Sequence, residues 1–262
     1  MEIAEESVKN TGYEEISLLS LSSGDYPYIE ELALKLEEKF KPLGVKISLP
    51  SLRTGTFEEH KGMDTLKRAG LTFAPEAGSE RLRHTLNKEI RDEEIIEKSR
   101  TALNSGWRKV KLYFMVGLPG ETQEDIDAIM GLAARIKNVN LSISPFIPKP
   151  YSDFEREGME GLEALKEKQR YLGSRLKARG SRVKANFHSP EMARVEAVLA
   201  RGDRSIGRVI FKAWEKGLRL QAWTEHFKYN VWEQAFQETG IDPEVYLRKK
   251  EERETLPWGF IT

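Results

Sequence analysis

The sequence predicts an α/β protein in which a parallel sheet curls toward a barrel over residues 1–150, followed by a mainly helical extension over residues 151–262. Three observations carry that expectation. Five apolar runs alternate with helical stretches through the first 150 residues, as successive right-handed βα units do. One of these runs, VKLYFMV at Val110–Val116, is too continuously apolar for a sheet that faces water, and it reads as a parallel strand covered on both sides. The third is a break: Pro145, Pro148 and Pro150 in PFIPKPYSDF end the rhythm, because proline cannot donate to a ladder, and charged helical sequence follows.

Taken in order, Glu15–Leu21 (EISLLSL) is the first strand. The helix over Tyr28–Phe40 aligns Ile29, Leu32, Ala33, Leu36 and Phe40 on one stripe, and Gly44 stops it. Val45–Leu49 (VKISL) is the second strand, and a helix over Glu58–Arg68 ends at Gly70. Leu71–Pro75 (LTFAP) is the third strand, with helices over Glu80–Leu86 and Asp92–Ser105 behind it. After Val110–Val116 a Gly-Leu-Pro-Gly turn leads into a helix with Thr122 as N-cap and Asp125 three residues on. Ile126, Ile129, Met130, Ala133 and Ile136 line its apolar face. Leu141–Ile147 (LSISPFI) is the fifth strand.

Residues 155–180 are charged and helical, with a break near Gly158 or Gly161. The basic half, KEKQRYLGSRLKARGSRVK, holds eight cationic residues against one acidic. Such a run is ordinarily a solvated helix face; an RNA-contacting stripe over residues 166–184 is the sharper alternative. Ser189-Pro190-Glu191 starts a helix over Glu191–Ala200, and a second spans Ser205–Glu215. In the Arg201-Gly202-Asp203-Arg204 turn between them, Asp203 caps the second helix and the arginines are free to bind an anion. Trp214, Trp223, Phe227, Tyr229, Trp232, Phe236 and Trp258 read mostly as the core of a small helical subdomain, with substrate stacking as the alternative for one or two.

Composition excludes several function classes. Lys plus Arg and Asp plus Glu balance at 42 each, so no global field recruits nucleic acid or an anionic membrane, and any such partner is met locally. No apolar run reaches the roughly 18 residues of a membrane span, and Met1 opens onto charged EIAEES, which places the protein in the cytoplasm and off the membrane. Cysteine is absent, so disulfides, thiolate metal sites and cysteine nucleophiles are impossible within these 262 residues. The histidines at 60, 84, 188 and 226 have no ligand spacing, and no metal site is expected.

Chemistry-bearing residues gather where strands end. The first strand leads into Ser22-Ser23-Gly24-Asp25, the second into Pro50-Ser51-Leu52-Arg53, and the third into Pro75-Glu76-Ala77-Gly78-Ser79-Glu80-Arg81. The fourth leads into Gly117-Leu118-Pro119-Gly120-Glu121 and the fifth into Pro145-Phe146, while strand beginnings show nothing comparable. In parallel α/β architectures that asymmetry marks the ligand face. Carbonyls and the acid after the first strand suit an ammonium, Arg53 or Arg81 a carboxylate, and Glu76 ribose hydroxyls. Val116, Leu118 and Phe146 suit a purine. Together these groups describe S-adenosylmethionine.

The segments GLTFAPEAGSERLRHTLNK and VKLYFMVGLPGET, with LLSLSSGDY before and PFIPKPYSDF, RGDR and LPWGF after, resemble the radical S-adenosylmethionine superfamily. They look most like the branch with an N-terminal cobalamin-binding-like domain, known mostly as uncharacterised Fe-S oxidoreductases. The resemblance implies a partial (β/α) barrel of TIM type, here with five of six strands and the first missing. It puts Ser22, Ser23, Gly24 and Asp25 where that superfamily has Gly-Gly-Glu for the methionyl amino group. It puts Glu76 and Ser79 in the ribose or carboxylate motif, and Gly117–Glu121 in the glycine motif beside adenine. The family's Cys-x-x-x-Cys-x-x-Cys loop, which holds a [4Fe-4S] cluster, has no counterpart in this sequence.

The expectation is therefore a fragment that binds S-adenosylmethionine weakly or not at all. The cluster, and cobalamin if it is used, would belong to a longer parent with neighbours at both ends. Two alternatives differ in class: a non-catalytic module contacting RNA through residues 166–184 and the C-terminal aromatics, and an ordinary TIM-barrel enzyme using Glu76 as acid or base. The last is weakest, because Glu76 has no partner carboxylate or histidine at its strand end. The sequence names neither substrate nor oligomeric state.

Overall fold

The computed structural model describes residues 1–18, 26–48, 71–104, 107–178 and 183–260. Helix α1 (Glu2–Thr11) stops at Gly12, whose left-handed φ of 69° lets its N–H reach Val8 O. Strands β1 (Glu15–Ser17) and β2 (Lys46–Ser48) pair in parallel, Ile16 opposite Ile47. The helix between them, α2 (Ile29–Phe40), turns its stripe inward: Ile29, Ala33, Leu36 and Phe40 are buried with Val45 and Ile47. The expected helix over Glu58–Arg68 lies outside the described residues.

Strands β3 (Leu71–Glu76) and β4 (Val110–Val116) also pair in parallel, from Leu71 opposite Val110 to Phe73 opposite Leu112. The register then slips, leaving Glu76 opposite Phe114. Pro75, which has no N–H for the ladder, sits within the slip. Helices α3 (Glu80–Thr85) and α4 (Asp92–Asn104) connect the two strands, and α5 (Gln123–Ala134) leads from β4 to β5 (Val139–Pro145).

Among the described residues the strands form two sheets, one of two strands and one ordered β3-β4-β5-β6, and neither is closed. Two expectations are corrected here. The second sheet does not end at Pro145, because β6 (Lys184–Phe187) joins its edge. KANF carries little strand propensity, and only a neighbouring edge makes it one. Finally, β4 is covered fully on one side only: Val110, Leu112, Phe114 and Val116 are buried, while Lys111 and Met115 are half-buried and Tyr113 is exposed. The long apolar bodies of Lys, Tyr and Met make an open face read as a hydrophobic run.

The chain forms two compact units. The first comprises Met1–Phe114, Gln123–Ser142 and Arg175–Asn186, the second Met115–Thr122, Ile143–Ser174 and Phe187–Thr262. Helix α6 (Leu162–Ala178) begins just after Gly161. In the second unit Ser189 caps α7 (Pro190–Arg201), accepting from Met192 N at 3.2 Å as its Ser-Pro-Glu start predicts. Helices α8 (Ile206–Glu215), α9 (Tyr229–Thr239) and α10 (Glu244–Leu247) complete a core of Val198, Val209, Ala213, Trp232, Phe236 and Leu247. The aromatics divide: Trp232, Phe236 and Trp258 are buried, whereas Trp214 and Trp223 are 53% and 60% exposed.

Ser205 and not Asp203 is the N-cap of α8; Asp203 lies one step outside, accepting from Ser205 N at 2.8 Å, and Arg201 is not free to bind an anion. It is fully buried, donating to Tyr246 O at 2.7 Å, Glu155 O and Arg248 O at 3.2 Å and Pro148 O at 3.3 Å. No helix among the described residues is long and apolar enough to cross a membrane.

Candidate functional site

The end of β3 is built around a strained residue. Glu76 has a φ of +71°, a left-handed conformation that a glutamate rarely adopts. Its carboxylate, about a quarter exposed (27%), accepts from Lys88 Nζ at 2.7 Å, and the same ammonium donates to Ala74 O at 2.9 Å. Lys88 thus ties the carboxylate to the strand that carries it.

The loop after Glu76 is fixed from both sides. Gly78 lies against α5, and a Cβ there would stand 2.7 Å from Ile129 N, so only glycine permits the approach. Ser79 caps α3, accepting from Leu82 N at 3.1 Å, and its hydroxyl donates to Asp125. Arg81 pairs with the other oxygen of that buried carboxylate. From beneath, the fully buried Arg83 donates to Ile90 O at 2.8 Å, Gly78 O at 3.0 Å and Ala77 O at 3.1 Å, and pairs with Asp92.

In the second unit the turn after β4 closes on itself. Glu121 N donates to Leu118 O at 3.0 Å across Pro119 and Gly120, whose φ of +72° completes the type II pattern. Gly117 (φ +83°) donates its N–H to the Glu121 carboxylate at 2.8 Å. A Cβ on Gly117 would meet Glu160 Oε2 and Leu165 Cδ2 at 2.8 Å. The Glu121 side chain is almost wholly buried and meets Lys168 Nζ at 2.7 Å; Lys168 meets Glu160 at the same distance. Burial pushes the Glu121 carboxyl up, against the pull of Lys168 and the Gly117 N–H. Burial acts downward on Lys168, but its two carboxylates outweigh it and hold the ammonium above the usual lysine value.

Val116, Leu118 and Phe146 are all buried; Phe146 donates its N–H to Val116 O at 2.8 Å and meets Phe154 edge-on at 5.9 Å. Pro145 is the last residue of β5.

The candidate residues thus fall in two groups. Glu76, Ser79 and Arg81 lie in the first unit, the last two sharing Asp125 and Glu76 pairing with Lys88, and Gly117, Leu118, Pro119, Gly120, Glu121, Pro145 and Phe146 belong to the second. Ser22, Ser23, Gly24, Asp25 and Arg53 lie outside the described residues. Sequence reasoning missed Lys88, Asp125 as the partner of Ser79 and Arg81, and the Lys168–Glu160 pair. Lys88 was findable, since it closes the GLTFAPEAGSERLRHTLNK segment. Lys168 gave no local signal, lying 47 residues from Glu121.

A parallel α/β protein with a strained acidic residue at one strand end and a glycine turn at the next belongs to the class whose ligands meet strand carboxyl ends. The particular family follows from comparison: residues 1–133 match the Radical SAM superfamily, and the chain belongs to it. It is 41% identical over 215 residues to the uncharacterised protein MJ0966 of Methanocaldococcus jannaschii, an alignment covering 80% of this chain and 46% of that protein. The chain therefore spans about half the length of the curated relative it matches. Its fold is similar to that of Streptococcus suis SuiB in the crystal structure bound to S-adenosylmethionine. The TM-score is 0.51 at 14% identity, covering 73% of this chain and 44% of SuiB.

Proposed function

We propose that these residues are the S-adenosylmethionine-binding part of a radical S-adenosylmethionine enzyme, with their strands arranged as a partial barrel. The observation that carries this reading is Glu76: backbone strain at a strand end, kept in place by Lys88 and by the loop that Arg83 pins, is what a ligand-holding position costs. A carboxylate there accepts from the two ribose hydroxyls, and Lys88 orients it. Membership of the family supports the choice of ligand, and SuiB supplies the precedent for the fold.

The cluster of such enzymes needs cysteine thiolates, and this sequence has none, so its residues do not fit that group. Thiolates would come from outside these 262 residues, in a cytoplasmic parent of the cobalamin-binding-like branch. The proposal therefore separates binding from turnover. Isothermal titration with S-adenosylmethionine is expected to show weak but saturable binding that Glu76→Gln weakens about tenfold further, the scale of one hydrogen bond to a charged group. No binding, or equal affinity in the variant, refutes the assignment of Glu76. Anaerobic reconstitution with iron and sulfide, followed by dithionite, is expected to give no 5′-deoxyadenosine above a no-protein control.

A further inference from the structure

The open face of the four-stranded sheet carries a cleft away from Glu76. Thr72 and Lys111 stand opposite each other in the β3–β4 register, and Asn140 is the second residue of β5. With Lys109 before β4, and Lys184 and Asn186 on β6, they line a cleft of about 420 Å³ within the first unit. Three lysines and two asparagines face it, and no carboxylate lines it among the described residues. Lys111 is held in place, its ammonium donating to Tyr113 Oη at 2.9 Å and lying 4.6 Å from the ring centre. Ser142, two residues along β5 from Asn140, is 2% exposed, and its hydroxyl has no hydrogen-bond partner among the described residues.

Each feature alone has an ordinary explanation, since lysines on a sheet face keep proteins soluble. Their conjunction does not: like charges gathered around one concavity repel one another unless an anion neutralises them. The geometry points to a phosphate-bearing small molecule, its charged group among Lys109, Lys111 and Lys184 and its neutral polar part on Asn140, Asn186 and Thr72. Lysine serves phosphate as a point charge, and the volume is in the range of small-ligand clefts, roughly 300 to 1,000 Å³. The site is separate from the one at Glu76. Four residue steps along β3 divide Thr72 from Glu76, a distance of about 13 Å.

The test is titration of the 262-residue chain with inorganic pyrophosphate at low salt, compared with Lys111→Gln/Lys184→Gln and with the charge-matched control Lys9→Gln/Lys177→Gln. All four lysines are at least partly exposed, so both double variants are expected to fold. The first is expected to weaken pyrophosphate about tenfold or more, as loss of charge-assisted contacts does, and the control less than about twofold. S-adenosylmethionine is expected not to compete. Absence of saturable binding, equal loss in both double variants, or competition by S-adenosylmethionine would each overturn the site. A short single-stranded RNA that binds more tightly than pyrophosphate and loses affinity in the same variant would overturn the small-molecule assignment. None of these results bears on Glu76, whose own variant reports separately.

Discussion

Arg83 and Arg201 are both fully buried and both hold backbone carbonyls, yet the two regions around them are organised differently. The partners of Arg83 lie within nine residues of it and include the carboxylate of Asp92, so its charge is neutralised where it stands. Arg201 gathers carbonyls 45 to 53 residues away, at Pro148, Glu155, Tyr246 and Arg248, and meets Glu155 and Glu254 carboxylates only through the longer-range field. Burial pushes its pKa down accordingly. The first arginine is a local brace for one loop, and that loop follows Glu76. The second is a hub that joins distant segments of the second unit.

Removing the hub is expected to have the largest effect. Arg201→Met leaves four carbonyls without their donor and should lower stability by about 4 kcal/mol in urea unfolding. A loss below about 1 kcal/mol would show that water or repacking replaces it. Arg83→Met should cost somewhat less, about 3 kcal/mol, because its partners are local and can re-solvate. It should also abolish S-adenosylmethionine binding in the protein that remains folded, whereas folded Arg201→Met should keep it. Equal loss of binding in both variants would break the distinction between brace and hub.

A smaller effect is expected at the turn after β4. Lys168→Met leaves the Glu121 and Glu160 carboxylates facing one another, with an expected cost of about 2 kcal/mol at neutral pH. Burial already raises Glu121, so its charged form is the unfavourable one when folded. The stability deficit should therefore shrink as pH falls toward the ordinary carboxylate range, where Glu121 takes up a proton, and grow as pH rises. A deficit independent of pH would place the role of Lys168 in packing instead.

These three charged positions also show what a sequence conveys. Periodicity found five strands and most helices, since each is a local pattern of burial; the stripe of α2 and the Ser189 cap appear as expected. The division of the described strands into two sheets was not legible, since pairing is not a local pattern, and β6 was invisible because only its neighbour makes it a strand. At the site, residue types singled out Glu76 and Arg81 as candidates. Partners, however, are tertiary facts. Arg201 and its neighbours read as an anion site because exposure cannot be told from four letters, and Lys168 meets Glu121 through a contact that no spacing rule contains.

The most direct test of the account is a crystal structure of this chain with S-adenosylmethionine. A ribose hydroxyl is expected within about 3 Å of the Glu76 carboxylate, with Lys88 still in contact. A nucleoside bound elsewhere, leaving Glu76 paired only with Lys88, would contradict the claim that this strand end is strained in order to hold it.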